Sequence, residues 1–207
     1  MDDFEIFGDE AAAARLTELL REVPAGAARF DPDGRPLLSP PVVPTRDHLD
    51  GVSPTGSTLV VFGAYGTPWS GALARVLAGV RERHLVVWRH FPDPEAHQHA
   101  ATFALAAEAA ATLGKFWALT REMLRMRHGD PTDLHAALLR ADLDPEHAIA
   151  IMQAGTATER IVDDVASALA SGADYSPTLF VNEERYRGEL DPAAVAAVLD
   201  SGRSMVS

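Results

Sequence analysis

The 207-residue sequence contains no cysteine. That absence excludes disulfides, thiolate nucleophiles, Cys-ligated zinc and iron–sulfur clusters. Positive charge is scarce: 18 Lys and Arg stand against 30 Asp and Glu, giving a formal net charge of −12. A nucleic-acid partner needs a concentrated excess of Lys and Arg, and an anionic membrane surface needs the same, so neither is expected. Lysine occurs only at Lys115. No run reaches the roughly 18 consecutive apolar residues of a membrane span. The opening MDDFEIFGDE is acidic and lacks the basic and apolar regions of a secretory signal. The expectation is a cytoplasmic protein.

What is present is ordinary for a folded domain: 47% hydrophobic and 23% charged residues, on a chain long enough to bury a core. The charge is uneven. Residues 1–50 carry a net −6, residues 51–130 a net +2 and the remainder −8. The middle segment alone is electropositive, and we read it as a scattered solvated face. Residues 1–45 read as an arm: a short amphipathic helix over Asp9–Val23, then a Pro- and Gly-rich stretch with a turn at Asp31-Pro32-Asp33-Gly34. Residues 46–207 read as the domain proper, with a helical insertion over about 95–171.

Within it, Thr58–Phe62 is a continuous apolar, β-branched run that predicts a strand buried on both faces. Thr67 as N-cap and Pro68 at the first helical position predict a helix start, with Leu73, Val76, Leu77 and Val80 as its apolar stripe. Leu85–Trp88 predicts a second strand, parallel to the first. Helices are expected over His97–Leu113 and Phe116–Met126. Asp130-Pro131, Asp144-Pro145 and Asp191-Pro192 each look like an N-cap followed by Pro, and Thr156–Glu159 like a capping box. Thr178–Val181 and Arg185–Arg187 predict a hairpin across Asn182-Glu183-Glu184, followed by a last helix at Pro192–Leu199. The order is β-α-β, a helical block, then β-β-α.

Several short motifs accompany that order: Arg46-Asp47-His48, Tyr65-Gly66-Thr67-Pro68-Trp69-Ser70, Arg89-His90-Phe91-Pro92, His97-Gln98-His99-Ala100, Gly114-Lys115-Phe116-Trp117 and Ser176-Pro177-Thr178-Leu179-Phe180-Val181-Asn182. Over about residues 42–200 the chain resembles the DsbA family. It is similar to the thioredoxin-like domains found alone or fused behind bacterial sodium/proton antiporters. The resemblance implies an α/β thioredoxin fold with a helical insertion between its β-α-β and β-β-α halves. It places the family's Cys-Pro-x-Cys at Thr67 and Ser70, and its cis-proline, opposite the helix start, at Pro177.

Dithiol–disulfide exchange requires a mixed disulfide that neither Thr67 nor Ser70 can form. Acidic residues that family members commonly carry as a proton relay fall here on Val61, Ala64 and Gly66. A buried carboxylate is costly without such a task. The joint loss implies a lineage without redox chemistry, whose membership in an oxidoreductase family leaves its status as an enzyme open. What the resemblance leaves is a binding cleft lined by Thr67, Pro68, Trp69, Ser70, Tyr175, Ser176 and Pro177, with Ser176 offering backbone groups to an extended ligand. Tyr175 replaces a usual Gly.

Simpler roles compete. Thr67 and Ser70 serve equally as helix-capping hydroxyls, Trp69 as a rim aromatic, and Phe116 and Trp117 as core. His97 and His99, two apart on a predicted helix, point to different faces, so no metal site is expected. Glu108 is expected to pair with Lys115 or an Arg. The leading expectation is a redox-inactive peptide- or ligand-binding module. The alternative is a glutathione-dependent transferase or isomerase of the kappa or chromene-carboxylate type, with Thr67 or Ser70 orienting the thiol of bound glutathione. A third is a scaffold that self-associates through the 1–45 arm.

Overall fold

A computed structural model describes residues 10–52, 56–126, 131–155 and 157–202. They divide into two compact units, one made of the described residues within 10–23, 64–70 and 92–162, the other of those within 24–63, 71–91 and 163–202.

The second unit holds a seven-stranded sheet. Its strands are β1 (Arg29–Phe30), β2 (Pro36–Leu37), β3 (His48–Gly51), β4 (Thr58–Gly63), β5 (Leu85–His90), β6 (Thr178–Val181) and β7 (Glu184–Tyr186), in the order β1-β2-β7-β6-β4-β5-β3. β4 pairs in parallel with β5, Val61 opposite Trp88, and antiparallel with β6, Val60 opposite Phe180. Alternate β4 residues face opposite ways, yet Leu59, Val60, Val61 and Phe62 are all buried. Burial on both faces is why this strand reads as an unbroken apolar run. On one face Val60, Phe62, Val87 and Phe180 pack with Leu38 of the arm segment and Ala168. Phe62 and Phe180 meet edge-on with ring centroids 5.7 Å apart. At the end of β4, Gly63 leaves room for the Trp88 indole; a Cβ there would lie 2.5 Å from its nearest ring carbon.

β6 and β7 turn back through Asn182 and Glu183, both in the left-handed region, as a two-residue hairpin requires. β1 and β2, unforeseen in the Pro-rich arm, form around the predicted turn, where Gly34 N–H donates to the Asp31 carbonyl at 3.0 Å. β3, likewise unforeseen, edges the sheet on β5, His48 opposite Trp88.

The first unit is helical: α1 (Glu10–Arg21), α3 (Ala100–Thr112), α4 (Phe116–Met123), α5 (Pro131–Arg140) and α6 (Pro145–Ala154). α3 is buried all along Ala100–Ala110. Its alanines let neighbours approach closely, and α1, α4 and α6 all pack on it. α1 buries Ala12 and Leu16. The Asp144 carboxylate accepts from the Glu146 amide at 3.1 Å, and α6 ends on left-handed Gly155, a capped start and a glycine stop.

The chain completes its helices with α2 (Ser70–Val80), α7 (Thr158–Ala170) and α8 (Pro192–Ser201). Asp191 caps α8 through the amides of Ala193 and Ala194, at 2.9 and 3.0 Å. The predicted caps at Asp130 and Thr156 lie outside the described residues. Two expected starts are corrected. α2 begins at Ser70, not beside Thr67, and α3 begins at Ala100, leaving His97 and His99 in the turns before it. In both places a tight turn precedes the helix: Ser70 N–H donates to the Thr67 carbonyl at 3.1 Å, and Ala100 N–H to the His97 carbonyl at 2.9 Å.

Candidate functional site

The turn at 64–70 is built from hydroxyls. Tyr65 is buried, its hydroxyl 3.0 Å from that of Thr120. Gly66 follows with φ +69°, which glycine adopts without steric cost. Thr67 N–H then donates to Ser70 Oγ at 3.1 Å, while Thr67 Oγ1 accepts from Trp69 N–H at 3.3 Å and sits 3.3 Å from Ser70 Oγ. Thr67 is 8% exposed and Ser70 2%. The two residues at the cysteine positions are therefore occupied with each other and with the backbone that starts α2. Their hydroxyls satisfy amides of the turn that precedes the helix, Ser70 Oγ that of Thr67 and Thr67 Oγ1 that of Trp69. Pro68 is exposed, as is Trp69, at 56%.

In the sheet unit, the Ser176–Pro177 bond is cis and leads directly into β6. Ser176 Oγ is buried without a hydrogen-bond partner. Its backbone N–H and C=O are likewise unpaired among the described residues. Tyr175, beside it, is 58% exposed. Val61 is fully buried between Trp88 and Leu179 in the sheet register. It is a packing residue.

Two of the sequence motifs meet in a buried charge network. Arg89 on β5 donates Nε and Nη2 to the two carboxylate oxygens of Asp47, at 2.8 and 2.9 Å. Its remaining N–H groups reach the Pro40 and Pro41 carbonyls and Ser167 Oγ, at 2.9, 3.1 and 2.9 Å. All five guanidinium donors are satisfied. Arg46 links Asp47 to Asp164, with Nη1 at 2.9 Å and Nη2 at 2.7 Å. Asp164 also accepts from the His90 amide at 2.8 Å. Two cations and two carboxylates balance.

Burial pushes the Asp47 carboxyl upward, but Arg89, the Val43 amide and Arg46 outweigh it and hold the group below the usual carboxylate range. At Asp164 burial prevails over His90 and Arg46, and the carboxyl is raised. Asp164 and Ser167 went unrecognised in the sequence. The signal was there: Asp164 and Ser167 on α7, and Ser171 just past its end, recur at helical spacing and are all buried.

The other candidates are placed as follows. His90 is buried, and the structure brings His48 beside it, with ring centroids 6.2 Å apart. The His99 ring meets Phe103 at 6.3 Å. Glu108 is buried with Arg160 3.6 Å away, whereas Lys115 pairs with Asp142 at 3.0 Å. Phe116 is buried and contacts Trp117 edge-on.

No protein-family model matches the chain. It is 36% identical over 182 residues to Na(+)/H(+) antiporter NhaA 1 of Mycolicibacterium gilvum, and 35% identical over 172 residues to Na(+)/H(+) antiporter NhaA of Herminiimonas arsenicoxydans. These matches take in 84% and 81% of the chain but only 29% and 27% of the relatives' length. Among the described residues no helix is long and apolar enough to cross a membrane.

Solved structures agree on the fold. A thioredoxin-like oxidoreductase from Silicibacter pomeroyi superposes with a TM-score of 0.65 at 23% identity, over 75% of this chain and 91% of that one. BdbD from Bacillus subtilis gives 0.64 at 14%, over 76% and 93%. Alpha-DsbA1 from Wolbachia pipientis gives 0.64 at 15%, over 77% and 92%. The chain is a cysteine-free protein of the DsbA-like thioredoxin fold.

Proposed function

We propose that the protein is a redox-inactive binding module that holds an extended peptide on its Ser176–Pro177 segment. The observation that carries this reading is Ser176, whose backbone N–H and C=O and buried Oγ, at the head of a sheet strand, have no partner among the described residues. Unpaired backbone groups at such a place are what strand addition uses, since main-chain hydrogen bonds bind any extended sequence. The Thr67 and Ser70 hydroxyls cannot form the mixed disulfide of thiol exchange, so the ligand undergoes no disulfide chemistry here. A cytoplasmic location belongs to the same proposal.

A second reading takes glutathione as the ligand, bringing its own thiol. The paired Thr67 and Ser70 hydroxyls, 3.3 Å apart, favour it as donors to a thiolate. Three assays test the first reading and separate it from the second. Insulin disulfide reduction in dithiothreitol is expected to run at the uncatalysed rate. Fluorescein-labelled nonapeptides are expected to raise anisotropy on titration, while millimolar glutathione leaves the melting temperature unchanged. Catalysed insulin reduction, or glutathione stabilisation without peptide binding, overturns it.

A further inference from the structure

Tyr175 is fixed to the sheet by a cation. Arg185, on β7 opposite Phe180 of β6, donates Nη1 to the Gly172 carbonyl at 2.6 Å and Nη2 to Asp174 at 2.5 Å. Its guanidinium carbon lies 5.3 Å from the centre of the Tyr175 ring. The Tyr175 carbonyl accepts from Thr178 Oγ1 at 2.7 Å, which pins the backbone as well. The ring and the loop that carries it are thus held before any ligand arrives, yet Tyr175 stays 58% exposed. A large aromatic kept in place and left accessible loses little freedom on binding, the property that makes tyrosine a good contact residue.

We infer that Tyr175 is a specificity-determining platform, and that the peptide bound at Ser176 carries a large apolar or aromatic side chain that packs on it. This rests on the peptide-binding reading of Ser176–Pro177. The chemistry of the occupant follows from Arg185. The negative face of an aromatic ring attracts cations, and here a guanidinium already takes that attraction. What the ring offers a ligand is area, so Phe or Leu is favoured over Lys. Arg185 is a positioning residue: it acts through Tyr175 and through the Gly172–Tyr175 loop.

The test uses the full chain and three fluorescein-labelled nonapeptides of Gly and Ser that differ only at the central residue: Ala, Phe or Lys. The wild type is expected to bind the Phe peptide about five- to tenfold more tightly than the Ala peptide. The Lys peptide is expected to bind no better than the Ala peptide. Tyr175→Ala should abolish the Phe preference, read as the ratio of Phe- to Ala-peptide affinity, and Tyr175→Phe should restore it. Arg185→Gln should weaken that ratio with the melting temperature unchanged, a split that general unfolding does not produce. A Phe preference that survives Tyr175→Ala, equal binding of all three peptides, or tighter binding of the Lys peptide overturns the platform and leaves peptide binding standing. Failure of every peptide to bind overturns both.

Discussion

Arg89 grips Asp47 through two parallel hydrogen bonds, of 2.8 and 2.9 Å, with both side chains fully buried. Removing one partner strands the other charge away from water, which costs far more than the pair gains by existing. Arg89→Met and Asp47→Ala are each expected to destabilise the fold by about 3–5 kcal/mol, read from urea unfolding midpoints. The double variant should lose much less than the two single losses together, because no lone charge remains. Additive losses would mean the residues do not act as a pair.

Acid should separate the two carboxylates of the same network. Asp47 lies below its unfolded pKa, so its contribution is present above about pH 3.9 and lost as pH falls through the folded value. Asp164 lies above its unfolded pKa, so its contribution is full below about pH 3.9 and lost as pH rises through the folded value. Urea melts between pH 3 and pH 7 should show opposite slopes for the stability differences between wild type and Asp47→Asn, and between wild type and Asp164→Asn. Slopes of one sign would refute the assignment.

Gly63 is required by its neighbour. A Cβ there meets three ring carbons of Trp88 within 2.5–2.9 Å, and Trp88 is fully buried with no room to withdraw. Gly63→Ala is expected to cost about 1–3 kcal/mol through overpacking and to change Trp88 emission. Gly114, with open space where its Cβ would stand but a left-handed φ of +69°, is the contrasting case. Gly114→Ala meets no clash and strains only the backbone, so it should cost about 1 kcal/mol in urea unfolding.

Much of this architecture was legible in the sequence, for reasons that individual residues make plain. β4 announced itself because both of its faces are buried, and α6 and α8 because Asp144 and Asp191 stand before prolines. β3 was hidden because His48-Leu49-Asp50-Gly51 carries a single apolar residue; it is set by pairing with β5 and by Asp47 just before it, held by Arg89 42 positions away, and no local pattern reports such partners. The start of α2 was misplaced by two residues, Pro68 against Ser70, because the hydroxyls of Thr67 and Ser70 bond each other across a turn. At the candidate site, the positions of the missing cysteines could be assigned from the turn motif and the resemblance. The Arg185 clamp on Tyr175 could not, since only the hairpin register brings the two together.

The central claim is that Ser176 binds an extended peptide with its backbone while the fold does no thiol chemistry. The most direct measurement is a titration of uniformly labelled protein with the central-Phe nonapeptide, following backbone amide shifts. The account predicts saturable shifts at Ser176, Tyr175 and Thr178, and slower exchange of the Ser176 amide with solvent once it donates to the ligand. Saturable binding that leaves the Ser176 amide unshifted and unprotected would contradict it.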